Sequence, residues 1–275
     1  MASKAPSNLL IRASTALVAM PAILALLYVA PFWGLYALAF PAAMIGCAEL
    51  FAMTHPGDRV TQVIGVVISA AMSLTVYFFT NDARVLLTVM LVAPVLGPFV
   101  TLLRLGDIGT AALRACALGF GPLFVVVPLT LLAAMQRDLG HDGPGFVLMT
   151  LTIAWFGDTG GYFAGRFLGK HKLYEAVSPK KTIEGAIGGL AASMVAGAAA
   201  SLIYLRSLPL AHALLLSVVG GACGQAGDLA ESLLKRSTGV KDSGNIVPGH
   251  GGILDRVDAL ILASTIVYLY TRWVR

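Results

Sequence analysis

Nine apolar runs, at residues 13–30, 32–53, 60–80, 84–103, 114–135, 145–165, 186–205, 210–233 and 253–272, occupy most of this 275-residue chain. Each approaches the ~20 residues that a helix needs to cross the hydrocarbon of a bilayer. Connections are short: Pro31 alone separates the first two runs and the break at 80–84 is equally tight, which suits antiparallel helix neighbours. Composition agrees, since 57% of residues are hydrophobic and 12% charged, against roughly 45–50% and 25% in soluble proteins. An ordinary soluble domain is excluded, and nine spans of about 20 residues leave no room for a separate soluble unit. The predicted fold is an all-α, polytopic integral membrane bundle of about nine transmembrane helices, with residues 1–275 as one membrane domain.

Fourteen Lys and Arg residues fall on the side of the N-terminus and five on the other. The positive-inside rule then places the N-terminus in the cytoplasm and, with nine spans, the C-terminus outside. The polar start, Met1–Arg12, precedes a run without a small-residue cleavage site, so a retained first helix is expected. A net charge of +5 without a basic stripe interleaved with aromatics argues against a nucleic-acid partner. Cys47, Cys116 and Cys223 are far apart, form no CxxC pair and read as packing residues.

Charge divides the chain. Residues 1–150 read as scaffold helices whose charges sit in connections, except Glu49, which faces either the bundle interior or the cytoplasmic interface. In the second half, 151–275, carboxylates stand within or at the ends of apolar helices, where ionisable groups are costly and usually functional, so this half is expected to carry the chemistry. Both long polar connections there, 166–184 and 235–252, lie on the predicted cytoplasmic side.

Asp228, Glu231, Ser232 and Lys235 follow i, i+3, i+4, i+7 and share one helix face. The plain alternative is a solvated helix end with an internal Glu231–Lys235 pair. Further on, Lys241-Asp242 leads to Pro248-Gly-His250-Gly251-Gly252-Ile-Leu-Asp255-Arg256-Val-Asp258. Closely spaced glycines let backbone N–H groups converge on an anion. Asp255 and Asp258, at i, i+3, are able to hold a hard divalent cation, while Lys241 and Arg256 offset phosphate charge. Read blandly, this is a turn followed by favourable acidic charge in a first helical turn. Ser178-Pro179-Lys180-Lys181-Thr182 reads as an N-cap serine with proline at N1 and two phosphate-directed lysines, or as a juxtamembrane basic loop touching anionic lipid. Asp158, among small residues, is a fourth acidic candidate beside the reading of a packed structural Asp.

No P-loop, HExxH, GxSxG or DGxxAR pattern is present. Carboxylates and lysines without an evident covalent nucleophile fit direct metal-assisted phosphoryl or nucleotidyl transfer. The segment from Ser232-Leu-Leu-Lys235-Arg236 through Lys241-Asp242 to Asp258 closely resembles the signature of the phosphatidate cytidylyltransferase (CDP-diacylglycerol synthase) family. The Asp158 segment, Ser178–Gly185 and Gly227-Asp228 resemble family segments in the same order, and Val247 replaces a larger residue conservatively. The resemblance implies a nucleotidyltransferase that converts CTP and phosphatidic acid to CDP-diacylglycerol and pyrophosphate. It further implies Mg²⁺, with a second cation such as K⁺, a homodimer, and a site on the cytoplasmic face of the inner membrane. Within it, Lys235, Arg236, Lys241, Asp242, His250 and Arg256 are the expected catalytic residues. Ser178, Lys180, Lys181, Thr182, Ser232, Gly251 and Gly252 are the expected substrate-binding residues. Asp228, Asp255, Asp258, Asp158 and Glu231 are the expected metal ligands, chiefly Asp228 and Asp255. A transporter, or another CTP-dependent lipid kinase or cytidylyltransferase, is the competing reading.

Overall fold

The computed structural model describes residues 20–246 and 251–275. Thus His250, with Pro248 and Gly249, and the N-terminal segment with the start of the first predicted helix lie outside the described residues. Helix α1 covers 20–28. It is followed by α2 (Gly34–Thr54), α3 (Arg59–Phe78), α4 (Ala83–Leu103), α5 (Ala111–Asp138) and α6 (Gly143–Leu168). A two-stranded hairpin, β1 (Lys172–Tyr174) and β2 (Ser178–Thr182), leads into α7 (Ile183–Ala199), which runs on through a π-turn to Tyr204. Helices α8 (Leu210–Ser237) and α9 (Leu254–Trp273) complete the chain.

The helices stand where the apolar runs predict them. Six (α2, α3, α4, α5, α7 and α8) are long and apolar enough to cross a bilayer. The exact count of nine is not reproduced by that measure: the described part of α1 is too short, α9 carries Asp255, Arg256, Asp258 and Arg272, and α6 carries Asp158 and Arg166 amid glycines. The polar groups that make these helices interesting lower their hydropathy.

α5 is the hub, packed by α2, α3, α4, α6 and α9. α6 lies along α7, and α8 along α9. The α6–α7 contact is close because glycines face each other: a Cβ at Gly160 would meet Ala192, and one at Gly188 would meet Ala164. α4 instead turns Leu87, Met90, Leu91, Val95 and Phe99 outward, the surface expected of a helix against lipid.

Ion pairs tie the connections together at each end. Asp58, before α3, accepts from the Thr61 hydroxyl at 2.5 Å and from Arg104 at 2.9 Å, with Arg114 close by at 3.4 Å. The Thr61 hydroxyl foremost, and then Arg104, holds the Asp58 carboxyl down at about 2. At the other end Asp138 pairs with Arg137 and Arg272, and Arg275 with Asp142. The connections after α2 and α4 therefore share one end; Glu49 of α2 brings the connection after α8 to it, the Arg236 bond to the Val177 carbonyl adds the connection after α6, and the C-terminus lies at the opposite end.

Ser178-Pro179 corrects the expectation of a helix cap. These residues begin β2, and the cap of α7 is Thr182, whose Oγ1 accepts the Gly185 N–H at 3.1 Å. Proline suits the start of a strand as well as the first turn of a helix, since neither position needs its missing N–H.

Candidate active site

The hairpin folds over the ends of α6, α7 and α8, and beneath it lies a cleft of about 470 Å³. That is within the range of small-molecule sites. Its walls include Asp158, Tyr162 and Arg166 of α6, Ser178, Lys180, Lys181 and Thr182 of the hairpin, and Gln225 and Asp228 of α8. The basic strand and two of the predicted acids thus meet in one cavity, although they span seventy positions of sequence. Lys181 Nζ lies 2.5 Å from Asp228. Thr182 faces the same cleft, but its hydroxyl already serves the α7 cap.

Asp228 also belongs to a second grouping. Its carboxylate, that of Glu231 one turn along and that of Asp258 on α9 offer oxygens all within 4.8 Å of one another. The helical spacing places Asp228 and Glu231 on one face, and the antiparallel contact of α8 with α9 adds Asp258. Glu231 is fully buried and, among the described residues, neither of its oxygens accepts a hydrogen bond. Lys235 Nζ approaches one of them to 2.6 Å, an ion-pair contact outside hydrogen-bonding geometry. Three carboxylates converging with an unsatisfied buried acid form an all-oxygen donor set of the kind that suits a hard divalent cation. Ser232 donates to Asp228 at 3.4 Å, orienting that carboxylate rather than facing the cleft.

Asp255 lies in a different network. It pairs with Lys235 at 2.5 Å and accepts from the Ser243 N–H, the Ser243 hydroxyl and the Gly252 N–H, at 2.8–2.9 Å. The first-turn position of Asp255 lets it fold back on the loop, whereas Asp258, one turn on, faces α8. Gly251 makes the fold-back possible: its φ is +80°, and a Cβ there would strike the Asp255 carboxylate. Lys235 is thus shared between Glu231 and Asp255. Arg236 donates to the Val177 and Val240 carbonyls, linking the hairpin to the loop after α8. Lys241, Asp242 and Arg256 are exposed and do not line the cleft.

Sequence reasoning missed two participants, Gln225 and Ser243, and left a third, Glu49, without a partner. Gln225 lines the cleft, its Nε2 fixed on the Ala186 carbonyl at 3.0 Å. Ser243 had no distinguishing mark within its loop. Glu49 was singled out as a charge in an apolar run, but only the fold shows that it reaches Ser243 and the start of α9, at 2.8–3.1 Å.

Comparison with known proteins places this site in a context. The model of a family described as the cytidylyltransferase family matches residues 10–274. A protein of Bacillus subtilis named phosphatidate cytidylyltransferase is 42% identical over 132 residues, 48% of this chain and 49% of the relative. Proteins of the same name from Staphylococcus haemolyticus and Staphylococcus aureus are each 47% identical, over 120 and 122 residues, covering 44% of this chain and 46% of theirs. The chain spans about half the length of the curated relatives it matches.

Proposed function

The chain belongs to the cytidylyltransferase family, and on that premise we propose that it is a nucleotidyltransferase that joins CTP to phosphatidate, giving CDP-diacylglycerol and pyrophosphate. The observation that carries this reading is the meeting of Lys180, Lys181 and Asp228 in one cleft, with Asp228 also a member of the carboxylate cluster. A phosphate oxygen of phosphatidate attacks the α-phosphorus of CTP in line. The new P–O bond forms as the bond to the bridging oxygen breaks, and the electron pair leaves with pyrophosphate.

In this reading Lys180 and Lys181 draw phosphate groups under the hairpin, and Ser178 offers a hydroxyl beside them. Asp228, Glu231 and Asp258 would hold Mg²⁺, which when bound supplies positive charge against the phosphates. Asp158 and Asp255 flank that cluster, leaving room in the scheme for a second cation such as K⁺. Lys235 keeps Glu231 and Asp255 together, and Lys241, Asp242, His250 and Arg256 keep the catalytic roles toward the nucleotide that the family resemblance implies. Most Lys and Arg residues stand at the cleft's end of the bundle, which supports a cytoplasmic site in the inner membrane. We extend the reading to a homodimer on family resemblance alone.

Purified protein incubated with labelled CTP, Mg²⁺ and phosphatidic acid tests the proposal. Labelled CDP-diacylglycerol with equimolar pyrophosphate is the expected result. Label transferred to an alcohol as a phosphate would instead indicate a lipid kinase. Passage of a solute across sealed vesicles without bond formation would indicate a transporter.

A further inference from the structure

Helix α9 begins without a cap of its own. Its N-cap position is Ile253, which has no side chain able to accept the first N–H groups. Those donors are satisfied from some two hundred residues away: Glu49 of α2 accepts the Ile253 N–H at 3.0 Å with Oε1 and the Leu254 N–H at 2.8 Å with Oε2. The Ser243 hydroxyl lies 3.1 Å from the same Oε2 and 2.9 Å from Asp255. Glu49 is only 6% exposed, so water does not substitute for these contacts. Two glycines make room for it. A Cβ at Gly244 would stand 2.6 Å from Glu49 Oε1, and one at Gly252 would collide with both Glu49 and Ser243.

We infer that Glu49 is a positioning residue, a cap supplied by the scaffold half that fixes the loop and the first turn carrying Asp255, and through them the next turn carrying Asp258. The inference rests on the reading of the cluster as the centre of nucleotidyl transfer. Its physical content is that a carboxylate at a helix N-terminus satisfies orphan donors and meets the positive end of the helix dipole. Because α9 starts on this anchor, the register of Asp258 against Asp228 and Glu231 is set by α2. Groups that orient ligands without touching the ion act in this way, and their loss typically weakens metal affinity or activity about 10–100-fold.

The test compares E49A, E49Q and E49D with the wild-type protein in detergent. Hydrogen exchange of peptides covering 251–257 should quicken about tenfold in E49A while α5 peptides are unchanged. Mn²⁺ binding, followed by the spin resonance of the free ion, should weaken by about 10–100-fold. Glutamine retains one acceptor and should fall between. Aspartate keeps the charge but is one methylene short, and should resemble alanine. Rescue by E49D would overturn the proposal, since general negative charge rather than reach would then suffice. Unchanged exchange and Mn²⁺ binding in E49A would also overturn it, as would a loss confined to yield and melting temperature. If E49A does not assemble, the isosteric E49Q decides the matter, and failure of E49Q to assemble would make Glu49 a folding residue instead. The exchange and Mn²⁺ measurements require no turnover. Wild-type protein that passes both but makes no CDP-diacylglycerol would sink the substrate assignment and leave the positioning role standing.

Discussion

Replacing Lys235 with methionine keeps the length and apolar stem of the side chain and removes one charge. Lys235 is 8% exposed and its Nζ lies 2.6 Å from Glu231 and 2.5 Å from Asp255. Removing one partner of a buried ion pair costs about 3–5 kcal/mol, because the remaining charge is left uncompensated. The two acids do not share that penalty equally. Asp255 keeps its bonds from Ser243 and Gly252, whereas Glu231 accepts no hydrogen bond among the described residues. The lower end, about 3 kcal/mol, is therefore expected and falls mainly on Glu231. At about 2–4 °C per kcal/mol, the melting temperature should drop by roughly 6–12 °C. Intrinsic tryptophan fluorescence of purified protein during a thermal ramp reads this directly. The double variant K235M/E231Q removes the orphaned charge and should recover more than half of the loss. A K235M protein melting within about 2 °C of wild type would refute the reasoning, and so would a double variant no more stable than the single one.

Asp228→Asn and Asp258→Asn should each abolish CDP-diacylglycerol formation without lowering the melting temperature, since an amide keeps the size but not the charge a divalent ion requires. Asp255→Asn should lose turnover and stability together, because it also breaks the Lys235 pair; undiminished stability would show that pair to be dispensable. Lys180→Ala should raise KM several-fold at constant kcat, the pattern of uniform binding lost. Lys181→Ala, which also unpairs Asp228, should lower kcat as well, and identical kinetics for the two would remove the distinction. Asp58 is held at about 2, below its ordinary value of 3.8, so its stabilisation is fully present above 3.8 and is lost as the pH falls toward 2. Asp58→Asn should flatten the melting temperature over that window, and an unchanged acid limb would show that Asp58 contributes nothing to it.

Helix positions were legible because the length of an apolar run is a strong signal in a bilayer-sized bundle. The hairpin was not, since strands of three and five residues carry no period to read. The i, i+3 spacing of Asp228 and Glu231 correctly put both on one face. The same spacing at Asp255 and Asp258 was ambiguous, because a residue in the first turn is free to fold back on the loop before it. Only the contact of α9 with α8 separates the partners: Asp258 meets the cluster, and Asp255 meets Lys235. Glu49 and Ser243 lie 194 positions apart, and no local pattern relates them. Charge within an apolar run flagged Glu49, but tertiary structure alone shows that its partner is another helix's first turn.

The position of the cleft also bears on how two unlike substrates could share it. One wall is α6, where Tyr162 and Arg166 line the cavity while Phe163 and Phe167, on the same helix, are exposed. Exposed aromatic side chains beside a cationic rim are at home at the boundary between lipid and water. An acyl chain lying along that outer surface would remain in hydrocarbon while its phosphate turned inward toward Lys180 and Lys181. A triphosphate, too highly charged to enter lipid, has instead the polar hairpin side with its exposed Lys170, Lys180 and Lys241. In the proposed reading the two routes would converge at Asp228, which faces the cleft and belongs to the carboxylate cluster at once. That double membership is the reason the proposed reaction centre is the end of α8 rather than the loop that follows it.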